Sequence, residues 1–302
     1  MRAGAGSCAR AQPWIQATVA GTALLLSLAA SMTIVGGQPA PDDLVLALAT
    51  DSVLLPIARR ASGVWVNTWP GSDDDDVPVP PVNEMPRAWL GGPVPTDWTV
   101  WFTAGGSARV RATGSQRYGG CQSPPALKMA AGLSPPRGAF DDVHLGVATS
   151  TSHRIDAVRA LPPNGRPAAA RAAITTASRR LTGRDDGIAW LYESASAARS
   201  AYYYETREAK LHGREWPSLV RGWLRRTARG SLETVGAEIQ ACAYDGPVAR
   251  AHSCLIPLGV LQATDHELWV MERTEGETHS FELWRISAAA AQRILSADGG
   301  GC

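Results

Sequence analysis

From Ile188 onward the chain alternates apolar or aromatic runs with turn clusters, a pattern that restricts this half to consecutive β-strands. Segments at 188–193, 200–209, 218–227, 232–244, 253–262, 267–273 and 280–286 all read this way. The last two are the clearest. Glu267–Glu272 (ELWVME) and Phe281–Ile286 (FELWRI) flank the polar, glycine-containing stretch Thr274–Thr278, which predicts a hairpin. Strands joined by short connections pair antiparallel.

The same signal recurs earlier. Leu44–Ala49 and Val53–Ala58 are apolar runs separated by Thr50-Asp51-Ser52, and Val64-Trp65-Val66 follows before Pro70-Gly71. Trp98–Phe102 and Arg109–Ala112 suggest a hairpin around Gly105-Gly106, and Val143–Ala148 a further strand. Residues 70–96 hold seven prolines and the acidic run Asp73–Asp76, and read as a long connection, as does Gly114–Gly138. Arg166–Leu181 is rich in helix formers, with a proline near its start and Gly183 just beyond its end. The expected fold is mainly β, with antiparallel meanders forming a sandwich or a barrel-like body and one or two short helices. No repeat at a fixed period supports a propeller.

The first 37 residues differ from everything after them. Arg2 and Arg10 precede a stretch from Ala11 to Pro41 without charge, centred on the apolar Val19–Ala30. A basic segment followed by an apolar one is the export-signal pattern, and small residues at Ala29–Ser31 and Val35–Gly37 offer cleavage points before Gln38. The uncharged stretch is also long enough to span a bilayer, so residues 14–37 could remain as an anchor. Initiation at Met32 would remove the segment. The expectation is a signal peptide or membrane anchor over 1–37 and one β-rich extracytoplasmic domain over 38–302, with a sub-boundary near 150–187. That places the protein in the periplasm, at the cell surface or outside the cell, or tethered to the membrane. Ile34-Val35-Gly36-Gly37 matches the first residues of mature trypsin-like proteases, but no nucleophile loop or paired His and Asp accompanies it.

A net charge of +1 argues against a nucleic-acid partner, which needs a basic face, and leaves membrane contact to the N-terminal segment alone. Only Lys128 and Lys210 are lysines, and with abundant Ala, Gly and Pro this reads as the codon bias of a GC-rich bacterial genome.

Cleavage would leave Cys121, Cys242, Cys254 and Cys302, an even number consistent with two disulfides in any of three connectivities. Cys242, Asp245, His252 and Cys254 lie close in sequence but lack the close ligand pairs of zinc motifs. Asp73–Asp76 lacks the spaced ligands of a calcium loop and reads as solvated. His266-Glu267 opens a zincin-like signature that Val270 breaks. No nucleophile elbow or Walker sequence occurs, and no cofactor is implied. The eleven tryptophans and Tyr202-Tyr203-Tyr204 fit a β core, with any exposed ones available for a protein or glycan ligand. The function expected is that of an exported envelope protein acting as a binding or structural module. The alternative is a secreted hydrolase whose site assembles only in the fold.

Overall fold

Leu44–Ala49 (β1) has every side chain buried, as an unbroken apolar run requires of a strand covered on both faces. The computed structural model describes residues 44–68, 94–102, 105–117, 125–134, 144–149, 155–194, 201–207, 218–241, 254–275 and 278–301. The two faces of β1 meet different partners. Val45, Ala47 and Ala49 pack with Leu54, Trp98, Val100, Phe102, Ala112, Leu127 and Met129. Leu44, Leu46 and Leu48 instead pack with Leu258, Leu268, Val270, Phe281 and Leu283 from far along the chain.

The first of these cores is the inside of a barrel. Val53–Ala61 (β2), Val64–Asn67 (β3), Asp97–Trp101 (β4), Ser107–Arg117 (β5), Pro125–Met129 (β6) and His144–Thr149 (β7) join β1 in one antiparallel sheet. Its order is β1-β7-β4-β5-β6-β2, and β2 also pairs with β1, so six strands close on themselves while β3 hangs on β2. Closure removes the open edges that invite mispairing. The tight curvature is helped by bulges. Ile57 is the extra residue of β2 opposite Leu46/Ala47, and Thr113 is the extra residue of β5. Pro56, which cannot donate to the ladder, sits next to the first of these irregularities.

The rest of the chain forms two five-stranded sheets. Val158–Ala160 (β9), Ile188–Ser194 (β10), Ala201–Thr206 (β11), Ser218–Arg226 (β12) and Leu232–Ala241 (β13) make the first, in the order β13-β12-β11-β10-β9. Ile155–Asp156 (β8), Leu255–Gln262 (β14), Glu267–Glu275 (β15), Thr278–Ile286 (β16) and Ala291–Gly301 (β17) make the second, in the order β17-β16-β15-β14-β8. Only Ala157 separates β8 from β9, so the chain steps from one sheet to the other across a single residue.

Both sheets are covered on both faces. Tyr203 and Trp223 of the first meet Trp269, Met271 and Ile286 of the second. The second sheet turns Leu268, Val270, Phe281 and Leu283 toward the barrel. On the far side Tyr202, Tyr204, Val220 and Leu224 pack under the helix Ala168–Thr182 (α1). The layers thus run barrel, second sheet, first sheet, helix. The buried residues Ala170, Ile174, Ala177 and Ser178 of α1 are mostly small, which lets the helix lie close on the sheet. It ends at Gly183, whose φ of 74° permits a left-handed cap and whose N–H donates to the Arg179 carbonyl at 2.9 Å. Ala189 is an extra residue in β10, and its carbonyl is taken up by the Arg166 guanidinium at 2.7 Å.

The mainly β expectation holds, and sandwich and barrel both occur. Three local readings need correcting. The connection expected over Gly114–Gly138 contains the end of β5 and all of β6, a five-residue strand that begins on Pro125, the strand position where proline is tolerated. Neither the Ala- and Gly-rich β17 nor the short β8 and β9 were expected. Their β-propensity is weak, and neighbouring strands hold them in place.

Two glycines mark close approaches, Gly222 between neighbouring strands of the first sheet and Gly259 between the second sheet and the barrel. A Cβ on Gly222 would lie 2.5 Å from the Gly236 carbonyl oxygen and 2.7 Å from Tyr204 Oη, whereas one on Gly259 would meet the Leu145 side-chain tip at 2.8 Å. Backbone yields less than a leucine tip. Gly222→Ala is expected to destabilise by about 1–3 kcal/mol and by more than Gly259→Ala, measured by urea unfolding. Equal losses would contradict the packing described.

Candidate functional site

The strands that carry the core aromatics also place charges beside them. Side chains two apart in a strand share a face, so Glu267 lies in phase with Trp269, Glu282 with Trp284, and Tyr203 with Glu205. Each pair is hydrogen-bonded. Trp269 Nε1 donates to Glu267 at 3.0 Å, Trp284 Nε1 to Glu282 at 2.7 Å, and Tyr203 Oη to Glu205 at 2.6 Å. Trp269 and Trp284 are register partners on β15 and β16.

Around Glu282 the charges converge. It is buried, accepts hydrogen bonds from Arg273 and from Arg293 (3.1 Å), and lies 3.9 Å from Arg221 of the opposite sheet. Burial alone would raise this carboxyl, but Arg221 and then Arg273 hold it below the ordinary carboxylate range. Arg221, 3% exposed, pairs across β12 and β13 with its register partner Glu238. Its Nε and Nη2 reach the same Glu238 oxygen at 2.7 and 2.6 Å, and its guanidinium carbon stands 5.9 Å from the Trp284 ring centroid. Burial disfavours the charged form, yet Tyr203, Glu282 and Glu238 raise Arg221 above the usual arginine value. The Nη1 of Arg221 is buried without an acceptor among the described residues.

Of these groups Arg221, Glu238 and Trp284 line a half-open cleft of about 280 Å³ where β12 and β13 face β16 and the start of β17. Its walls are Tyr203, Trp223 and Trp284, the small residues Gly222, Gly236, Ala237 and Ala291, and the Arg221–Glu238 pair. No serine, cysteine or histidine lines it among the described residues.

The tyrosine run and three of the seven described tryptophans are core side chains and not a ligand platform. Tyr202, Tyr203, Tyr204, Trp98, Trp223 and Trp269 are all buried, and no described Trp or Tyr reaches full exposure, because both faces of each sheet are covered. His266 accepts no metal-like company either. Its Nδ1 lies 2.6 Å from Asp265, in a turn where Arg285 also reaches Asp265. Glu267 follows on β15 instead of on a zincin helix. No group of three His, Cys, Asp or Glu side chains that could hold a metal ion occurs among the described residues. Cys121, Cys242, Cys302, Asp245, His252 and Asp73–Asp76 lie outside the described residues, as does the 14–37 segment. Cys254 stands half-buried at the entry to β14, its backbone N–H donating to Glu205 at 3.0 Å. No described helix is long and apolar enough to cross a membrane.

Sequence reasoning missed Arg221, Glu238, Glu267 and Glu282. For Arg221, Glu267 and Glu282 the signal was available in the two-residue phase, where charges fall on the face that carries the strand's aromatics; β13 has no aromatic to mark Glu238.

Glu267 differs from Glu282 in lacking a ring of guanidinium groups. Burial raises it to about 7, against the Trp269 hydrogen bond and the charge of Arg225. A carboxyl raised in the fold binds more protons folded than unfolded, so stability is full below its unfolded value and falls as pH rises through 7. The loss from pH 4.5 to 8 is expected to be about 3 kcal/mol at most. Glu267→Gln, which keeps the indole's acceptor, is expected to flatten that slope in denaturant midpoints measured across pH. An unchanged slope would assign it to other groups.

The chain matches no protein-family model, no curated protein and no solved structure.

Proposed function

We propose that this chain is an exported binding module whose ligand enters the cleft between β12–β13 and β16–β17. The observation that carries the reading is the composition of that cleft: aromatic and small walls, the Arg221–Glu238 ion pair, and no nucleophile or histidine among its described lining. Hydrolysis by a side-chain nucleophile needs a Ser or Cys beside a base, and such a pair is missing there. The module reading is therefore favoured over the hydrolase.

Export rests on the basic start and uncharged apolar stretch of residues 1–37. Alkaline phosphatase lacking its own signal, fused after residue 41, is expected to become active outside the cytoplasm. An inactive fusion would refute export. Sequencing the N-terminus of the full-length product then separates cleavage near Gln38 from an anchor that keeps 14–37.

We further propose that the four cysteines beyond the signal are oxidised in pairs. Support comes from their even number in a chain with an export-like start. Native protein recovered from the exported fraction is expected to show fewer than four alkylated thiols by intact mass before reduction, and four after it. Four alkylated thiols before reduction would overturn the pairing.

A further inference from the structure

We infer that the aromatic stripe between the two sheets is an electron relay, through which one-electron oxidation of a half-buried ring at its rim is passed inward to Tyr203. Six rings are in unbroken contact. Trp190 stacks on Tyr192 and Tyr192 on Tyr203, Tyr203 meets Trp223, and Trp223 meets both Trp269 and Trp284 of the opposite sheet. Successive centroids stand between 4.9 and 6.2 Å apart, inside the usual range for touching rings. Strand register builds the stripe, since Tyr192, Tyr203 and Trp223 are successive cross-strand partners, and Trp269 and Trp284 are partners in turn. Its middle is closed to solvent, because Tyr203, Trp223 and Trp269 are buried. Trp190, Tyr192 and Trp284 are half-buried and within reach of a one-electron oxidant such as an outer-sphere metal complex. Indole and phenol give up an electron more easily than most side chains, and electrons tunnel readily between rings in contact.

The proton of Tyr203 makes it the place where the oxidising equivalent comes to rest. An oxidised phenol is a far stronger acid than an oxidised indole and must lose its hydrogen. Tyr203 Oη donates at 2.6 Å to an oxygen of the buried Glu205, the short geometry of a hydrogen bond to a carboxylate. In the completed step the oxidant gains one electron, the Tyr203 O–H bond breaks, its proton bonds to Glu205 and a phenoxyl radical remains. Both products on the protein, the phenoxyl and the carboxylic acid, are neutral, so neither leaves a bare charge in the interior. Trp284 is a worse resting place. The Arg221 guanidinium 5.9 Å from its ring opposes a positive hole there. Arginines also hold Glu282, which accepts the Trp284 N–H, below the ordinary carboxylate range, so it is a poor base for that proton. Tyr202, the preceding residue, supplies a contrast. It too donates to a carboxylate, Glu193 at 2.9 Å, but it lies on the other face of β11 beneath α1, outside the stripe.

The test is flash–quench oxidation of the full chain by tris(bipyridine)ruthenium, with pentaamminechlorocobalt(III) as the quencher, the radicals being frozen and read by EPR. A tyrosyl radical is expected. Tyr203→Phe, which keeps the ring and removes the phenol, is expected to cut that signal severalfold and leave tryptophan radicals in its place, in a chain that still melts cooperatively. Tyr202→Phe is expected to leave the tyrosyl signal unchanged. No tyrosyl signal from the unaltered chain, or one that Tyr203→Phe leaves in full, overturns the relay. An equal loss in Tyr202→Phe overturns it too, because that phenol lies outside the stripe. Should Tyr203→Phe fail to fold, high-field EPR of the unaltered chain decides. A narrow g-tensor with one exchangeable hydrogen-bonded proton, the one held by Glu205, is expected. The broad distribution of a solvent-exposed phenoxyl overturns the proposal.

Discussion

The aromatic layer between the two sheets depends on carboxylates placed two residues from three of its rings. A buried indole or phenol must give its hydrogen to an acceptor, and in an all-strand interior most backbone carbonyls are already committed to ladders. Here the acceptor rides on the same strand face. Glu267, Glu282 and Glu205 serve Trp269, Trp284 and Tyr203 in turn. Each solution brings a new cost, since a carboxylate out of water must itself be compensated. Glu205 meets it with backbone N–H groups of Cys254 and Leu255 on the opposite sheet, both at 3.0 Å. Glu282 meets it with arginines. Glu267 stays nearer to protonation.

Those compensations also bind the layers to one another. Glu205 crosses from β11 to β14, Arg221 from β12 toward β16, and Arg225 donates to the Ile286 carbonyl at 3.0 Å. Apolar packing alone is not directional, and two flat faces of Tyr and Trp could slide. Directed polar contacts between the sheets select one alignment, and the cleft lies where that alignment sets the small residues Gly222, Gly236, Ala237 and Ala291 among the aromatic rings.

How much of this could be seen in the sequence varied with the kind of signal. Uniform apolar runs such as Leu44–Ala49 announced strands, and the Glu-Leu-Trp hairpin at 267–286 appeared where it was expected. Closure of the barrel did not show, because it rests on β1 pairing with β7 far along the chain, and spacing carries no record of that. β6 hid behind its prolines and β17 behind its glycines. The site was invisible for another reason. Arg221 and Glu238 look like solvated surface charges until the register sets them opposite each other and the second sheet covers the arginine.

β1 takes part in two cores that mature at different times. Its hairpin partner β2 is made next, but β7, which closes the barrel along its other edge, begins at His144, and apart from the two-residue β8 the sheet that covers its outer leucines comes only from Leu255 onward. Throughout synthesis of the intervening chain, six consecutive apolar residues have one edge unpaired and one face uncovered. Such a segment is adhesive to other nascent chains. The strand most deeply committed in the finished molecule is thus the one most in need of a chaperone before it.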